Sequence, residues 1–186
     1  MDPTAELRER DALLDRLRPH VDEIGLCALT LENSALALGL PENTLHDFFP
    51  SKEDLIVALI ARNRIRLRAK FADLDLAMPA DEFRRVMWKF YVETASESRL
   101  FFEAYGLALH DEHYGDFLHG INDWLGLLKE ALVRRAVPSD RAEAFATLTL
   151  AVYRGAMMDY CATEDRARVN AAMELWFEAA AWMTGP

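Results

Sequence analysis

Cysteine is nearly absent. Cys27 and Cys161 are the whole complement, far apart and without the close spacing of a metal site. No disulfide framework holds this fold, and with no signal-type leader the chain reads as a reduced, cytoplasmic protein. No run of about 18 apolar residues occurs, so no membrane span is expected. Positive charge is in deficit, with 21 Lys and Arg against 31 Asp and Glu and a net charge of −10. That balance argues against a non-specific binder of polyanions or anionic membranes. Glycine-rich phosphate loops, strand-like alternation, internal repeats and low-complexity segments are all missing. Ser96, Ser98, Cys161 and the histidines fall in no nucleophile–base motif, so neither a catalytic residue nor a cofactor is expected. What the chain does have is apolar residues, 52% of 186, spaced for helices. The expectation is an all-α fold of about nine helices with a substantial core.

The chain order supports this. Asp2-Pro3 can open a first helix whose stripe is Leu7, Leu14, Leu17, Val21 and Ile24, ending near Gly25. Pro19 removes a helix bond and crowds the Asp15 carbonyl, which predicts a kink or break there. Arg8, Arg10, Arg16 and Arg18 are the basic cluster of that segment. They read as a solvated face answered by Glu6, Glu9, Asp11 and Asp15, with contact to a DNA backbone as the other use. A long helix after Ser51 runs to about Leu76 through Asn63, Phe71 and Leu74, with Asp73 among its polar residues. Later helices are expected from an Asp81 cap, from Leu100 to Leu109, from Tyr114 to Ala136, from a Ser139 or Asp140 cap to about Ala162, and from an Asp165 cap to about Met183.

The most informative stretch lies between Leu29 and Leu55. Thr30 is a good N-cap before Leu31, Ala35 and Leu38, which share one helix face. Gly39 stands where a left-handed residue should end that helix. Pro41 suits the first position of the next, which buries Leu45 and Phe49. Ser51 caps a third helix with Glu53 and Asp54 in its acidic first turn, an imperfect capping box because Asp54 stands where Glu or Gln is wanted. Two short helices joined by a glycine turn suit a DNA major groove.

On these residues the chain resembles the TetR family of transcriptional regulators. The family pattern of a Thr cap, an Ala-containing helix, a Gly turn, Thr-Leu-Tyr-x-x-Phe and Ser-Lys-Glu-x-Leu stands here as Thr30, Ala35, Gly39, Thr44-Leu45-His46-Asp47-Phe48-Phe49 and Ser51-Lys52-Glu53-Asp54-Leu55. Departures from it are Ser34 at a usually apolar buried position, Pro41 for Ser, Asn43 for a small residue and His46 for Tyr. Glu32, Glu42 and Asp47 stand where members tend to be polar or basic. From Asp22 to Asp54 seven acids face one base, Lys52, a net −6 on a surface that should meet phosphates. The resemblance implies a helix-turn-helix part over residues 1–50 and an effector-binding, dimerising part over 51–186. It implies a ligand-responsive regulator, a repressor, whose partners are a double-stranded DNA operator, a small effector and a second copy of itself. Thr30, Thr44, His46 and Lys52 would hold phosphates; Glu42, Asn43 and Asp47 would face base edges, where Asn matches adenine and a carboxylate the cytosine amino group. The alternative is a TetR-fold protein that binds small molecules or lipids and no longer binds DNA. Leu17-Arg18-Pro19-His20-Val21 and the acidic motif resemble such proteins of ubiquinone biosynthesis. Their extra amphipathic C-terminal helix is not expected in a sequence ending at Pro186.

Two further groups matter. Trp88, Tyr91, Phe101, Phe102 and Tyr105, with Phe117, Trp124, Tyr153 and Met157, lie on helices that surround an effector cavity in TetR-like proteins. Large rings with a few polar ends suit an apolar or aromatic ligand, and packing alone is the plainer use of any one of them. Phe145, Leu148, Val152, Ala156 and Tyr160 run down one late helix, and Met173, Trp176, Phe177 and Ala180, with Val169, down the next. In TetR-like proteins such helices form a four-helix dimer contact, and second-face residues (Leu150, Tyr153, Met157, Trp182) favour two partners over one. His110, His113, Asp116 and His119 are chemically able metal ligands, but they lack a tight spacing and Asp111 and Glu112 read as helix caps, so no metal is expected.

Overall fold

The computed structural model describes residues 3–72, 75 and 78–184, and among these the side chains other than those of Pro3, Glu42, Phe71, Ala72, His119 and Thr184. Expectations resting on Asp2, Asp73, Leu74 and Leu76, and on the side chains of Glu42, Phe71 and His119, lie outside the described residues. The described residues form nine α-helices and one 3₁₀ turn, with no strand. The helices are α1 Pro3–Ile24, α2 Leu31–Leu38, α3 Glu42–Phe48, α4 Lys52–Ala72, α5 Ala80–Glu93, α6 Ala95–Ala108, α7 Asp116–Arg134, α8 Ser139–Thr163 and α9 Arg166–Thr184; the 3₁₀ turn is Glu112–Tyr114. They make two compact units, one of residues 1–72 and 100–118, the other of 73–99 and 119–186. The expected parts, 1–50 and 51–186, are an expectation about role, which these packing units do not address.

In the first unit α1, α2 and α3 pack in sequence and α4 closes on α1. Leu14, Leu17 and Val21 meet Leu26, Leu29, Leu45, Phe49, Leu55 and Ile56, all buried. Pro19 does not break α1, which runs through it to Ile24. Leu17 and Val21 are buried on either side of it, so packing holds the helix where propensity alone would end it. Arg18 reaches across to the Asn63 side chain at 2.6 Å and pairs with Asp22 at 2.7 Å. Arg62 of α4 grips Asp11 and Asp15 of α1 at 2.8 and 2.6 Å.

Three helix starts differ from the expected caps in the same way. Pro41, Pro79 and Pro138 are themselves the N-caps of α3, α5 and α8, with φ near −61°, −51° and −53° and ψ near 142°. Their carbonyls accept from Thr44, Phe83 and Ala142 at 3.0, 2.9 and 2.8 Å. Pro41 is thus one position outside the helix, and Asp81, Ser139 and Asp140 fall inside the first turn instead of capping it. Asp165 does cap α9, its carboxylate accepting from the Arg168 N–H at 3.0 Å. α7 begins at Asp116, after the 3₁₀ turn, and ends at Arg134, ahead of Ala136 with φ 61°.

In the second unit α5 packs on α8 and α9, and α8 on α9. Met87, Trp88, Tyr153, Met157, Met173 and Phe177 are buried there. The Trp88 indole donates to Asn170 at 2.8 Å and the Tyr153 hydroxyl to the Arg84 carbonyl at 2.8 Å, so both polar ends are satisfied inside.

Candidate nucleic-acid interface and effector cavity

The helix-turn-helix is fixed by local bonds at each of its corners. Thr30 Oγ1 accepts from the Asn33 N–H at 3.0 Å, and Asn33 Oδ1 accepts from the Thr30 N–H at 2.9 Å, a complete capping box with Asn in the Glu or Gln role. The Asn33 amide also donates to the Ala28 carbonyl at 2.9 Å. Gly39 takes φ 68°, and the Leu40 N–H returns to the Ala35 carbonyl at 2.9 Å, closing a Schellman turn. Ser34, fully buried, donates to the Thr30 carbonyl at 2.6 Å, which is how a hydroxyl occupies an apolar position. Ser51 Oγ accepts from the Asp54 N–H at 3.1 Å and its hydroxyl donates to the Asp54 carboxylate at 2.5 Å.

This frame leaves Asn43, His46 and Asp47 exposed on one face of α3, three and four residues apart, with Thr44 half-buried beside them. The Glu42 side chain, expected on the same face, lies outside the described residues. Thr30 is exposed, with its oxygen engaged as a cap. Lys52 donates to the Cys27 carbonyl at 2.9 Å and so ties α4 to the turn after α1. Of the α1 arginines expected as a solvated face, Arg8 and Arg16 are exposed, Arg10 is half-buried and Arg18 is buried. Arg16 caps the Leu38 carbonyl at 2.8 Å, Arg18 is buried, and Arg10 lies over the Phe49 ring at 5.3 Å. Asp11 and Asp15, expected to answer those arginines, are taken by Arg62, whose hydrogen bond holds the Asp15 carboxyl below its ordinary range. The exposed surface of the motif therefore stays acidic.

The predicted aromatic lining divides between the units. Phe101, Phe102, Tyr105 and Phe117 form a ring cluster in the first, with Phe101 and Phe117 5.2 Å apart. A hollow of about 180 Å³ lies beside it, lined by Phe117 and by Arg64, His113 and Asp116. Arg64, His113 and Asp116 are half-buried or exposed and can be solvated, while Tyr114 in the same lining is buried. Tyr91 and Tyr153 line a different cavity, of about 40 Å³, between α5, α7 and α8 of the second unit. Trp88 and Met157 are buried in the packing of that unit without lining the cavity, and Trp124 is half-buried away from it.

Sequence reading missed the polar part of this cavity. Its wall is apolar except at Arg84, Arg135, Thr149 and the two tyrosines. Arg84 is 7% exposed; one guanidinium nitrogen donates to Asp81 while Nε has no partner among the described residues. Thr149 Oγ1 is likewise buried and unpaired. An unpaired buried donor costs about 1–3 kcal/mol. Arg135 donates to the Ala131 and Met78 carbonyls, each at 2.6 Å, and covers the Phe83 ring at 5.2 Å. Burial first, then the Arg84 charge, push its guanidinium below the ordinary value, against the pull of Asp75. Burial pushes the Tyr153 phenol far above its usual range, so it remains a donor.

The expected dimer residues also divide. Met173, Phe177 and Ala180 close off inside the unit, at most 3% exposed, so they do not face outward. Phe145 lines the cavity and stacks on Trp176 at 5.9 Å, both half-buried. Val152, Ala156 and Tyr160 are half-buried, and Leu150, Tyr153 and Met157, expected on a second outward face, point inward. The outward stripes are Ala144, Leu148, Ala151, Gly155 and Met158 on α8 and Ala171, Leu175, Ala179 and Trp182 on α9. Trp182 is 88% exposed and Leu175 69%.

In the corner at His110–Asp116, Asp111 caps the 3₁₀ turn, accepting from the His113 N–H at 2.8 Å, while His119's side chain lies outside the described residues. No helix among the described residues is long and apolar enough to cross a membrane.

No protein-family model matches the chain, and no curated protein matches it in sequence. Solved structures do match in shape. A transcriptional regulator from Rhodococcus sp. Rha1 superposes with a TM-score of 0.81 at 14% identity, over 94% of this chain and 95% of that one. A TetR-family regulator from Cytophaga hutchinsonii gives 0.77 at 19%, over 97% of both. GusR from Salmonella enterica gives 0.74 at 19%, over 99% of this chain and 97% of its own. The chain has the fold of TetR-family transcriptional regulators.

Proposed function

We propose that this protein is a cytoplasmic, ligand-responsive, DNA-binding transcriptional regulator, a repressor acting as a homodimer. The observation that carries this is the helix-turn-helix. Its two helices are pinned by a capping box and a Schellman turn, while α3 keeps Asn43, His46 and Asp47 exposed. A structure that spends local bonds on geometry and leaves one polar helix face exposed suits docking against a partner. Residues 1–50 would dock in the major groove, and 51–186 would dimerise and take the effector. The exposed stripes of α8 and α9 recur every three to four residues, the spacing of a helix–helix seam, and suit a second copy. A cavity of about 40 Å³ holds roughly three water-sized groups, so an effector must part α5, α7 and α8 to enter. Binding then selects the parted state, and repression ends if that state misplaces the paired α3 helices.

The second reading, a ligand-binding protein of this fold without DNA, has its own support. The motif is acidic, and Arg10, Arg16, Arg18 and Lys52 are engaged within the protein. Selection of sequences from random DNA by the purified protein separates the two. An enriched palindromic site supports the regulator, and no enrichment at low salt supports the second reading.

A further inference from the structure

The cavity of the second unit is apolar in its body and cationic at one end, and that asymmetry is more specific than an apolar effector requires. Arg84 Nε and Thr149 Oγ1 are both donors, both buried and both unpaired. Thr149 had an easy partner available. Thr147 and Thr163 on the same helix donate to the carbonyls four residues back, at 2.9 and 2.8 Å. Thr149 does not, and it lines the same cavity as Arg84. The two elements meet there directly, since Tyr153, one turn on from Thr149, donates to the Arg84 carbonyl. Charge points the same way. Arg135 stands in the same wall, held by two neutral carbonyls and a ring face. The carboxylates near the pair are Asp81 on Arg84 and Asp75 towards Arg135, and both are exposed. The rest of the lining includes Phe83, Met87, Tyr91, Leu128, Phe145 and Leu150.

We propose that this cavity is a site for a small carboxylate with an apolar body, its head accepting from Arg84 Nε and Thr149 Oγ1 and its body lying among the α5, α7 and α8 side chains. The closed cavity is small, so the head takes the end at Arg84 and the apolar body enters as the three helices part. Guanidinium and hydroxyl donors pair with a carboxylate by charge-assisted bonds, which are shorter and stronger than neutral ones. The inference rests on the ligand-responsive reading above and names its ligand class.

The test uses the full chain and two matched probe pairs, decanoate with decanol and 4-phenylbutyrate with 4-phenylbutanol, titrated calorimetrically at neutral pH. At least one acid should bind tenfold or more tightly than its alcohol. Thr149→Val should remove most of that preference while raising the melting temperature of the free protein, because an unpaired hydroxyl is gone. Arg84→Met should abolish acid binding; should it fail to fold, Thr149→Val still decides. Equal affinity within both pairs, no binding of any probe, or an acid preference that survives Thr149→Val would overturn the proposal. DNA binding measured on the same samples is a separate readout. Acid binding without any DNA binding upholds this site and contradicts the regulator.

Discussion

Gly39 shows how a single residue sets the turn into α3. Its φ of 68° is left-handed, and a Cβ built there would meet nothing within 4 Å. Gly39→Ala therefore isolates the backbone term, and urea unfolding should show a loss of about 1–2 kcal/mol. Asp15 gives a second residue-scale prediction. Its folded pKa is depressed by Arg62, so its contribution to stability is present above the unfolded value and lost as pH falls through the folded one. Arg62→Met should return the Asp15 carboxyl to the ordinary range by NMR titration and flatten stability against pH at the acid end. Residues were legible where backbone geometry dictates chemistry, as at Thr30, Gly39 and Ser51. Arg84 and Thr149 were not. A charged or hydroxyl side chain on a helix reads as solvated, and only packing against another helix shows that it is buried.

Among the elements, the helices were legible by their period, and their first residues were less so. An Asp or Ser near a helix start competes with a preceding proline. In α5 and α8 the proline wins, because its fixed φ already suits an N-cap and its carbonyl takes the first helix bond; Pro41 does the same for α3. The faces of α9 were harder. Apolar residues stand on both sides of it, so periodicity finds two stripes without saying which faces inward. Trp176 and Phe177 read as interface, yet Phe177 is core and the outward stripe is Leu175 and Trp182. This makes a paired prediction. Trp182→Glu should give a folded monomer by sedimentation with unchanged circular dichroism. Phe177→Glu should unfold the second unit, since a charge cannot replace a buried ring without a partner. A Trp182→Glu protein that still sediments as a dimer would move the interface elsewhere.

For the whole molecule the governing quantity is charge. The all-α fold and its resemblance were readable from one motif and the helical spacing. Whether an acidic motif binds DNA was not, because the structure spends on internal bonds the cations that sequence alone leaves available. Arg16 caps α2 and Lys52 holds the turn at Cys27, so few positive groups remain for phosphates. Each phosphate neutralised adds about 0.9 to the log–log salt slope, so two or three contacts give a slope of roughly −2 to −3. On the proposed function, specificity comes from Asn43, Asp47 and their neighbours against base edges. The decisive measurement is the affinity of the purified protein for its best selected DNA site as a function of salt. The expected result is sequence-specific binding with that shallow slope. Absence of binding to any selected sequence, even at the lowest salt, would contradict the proposed regulator outright.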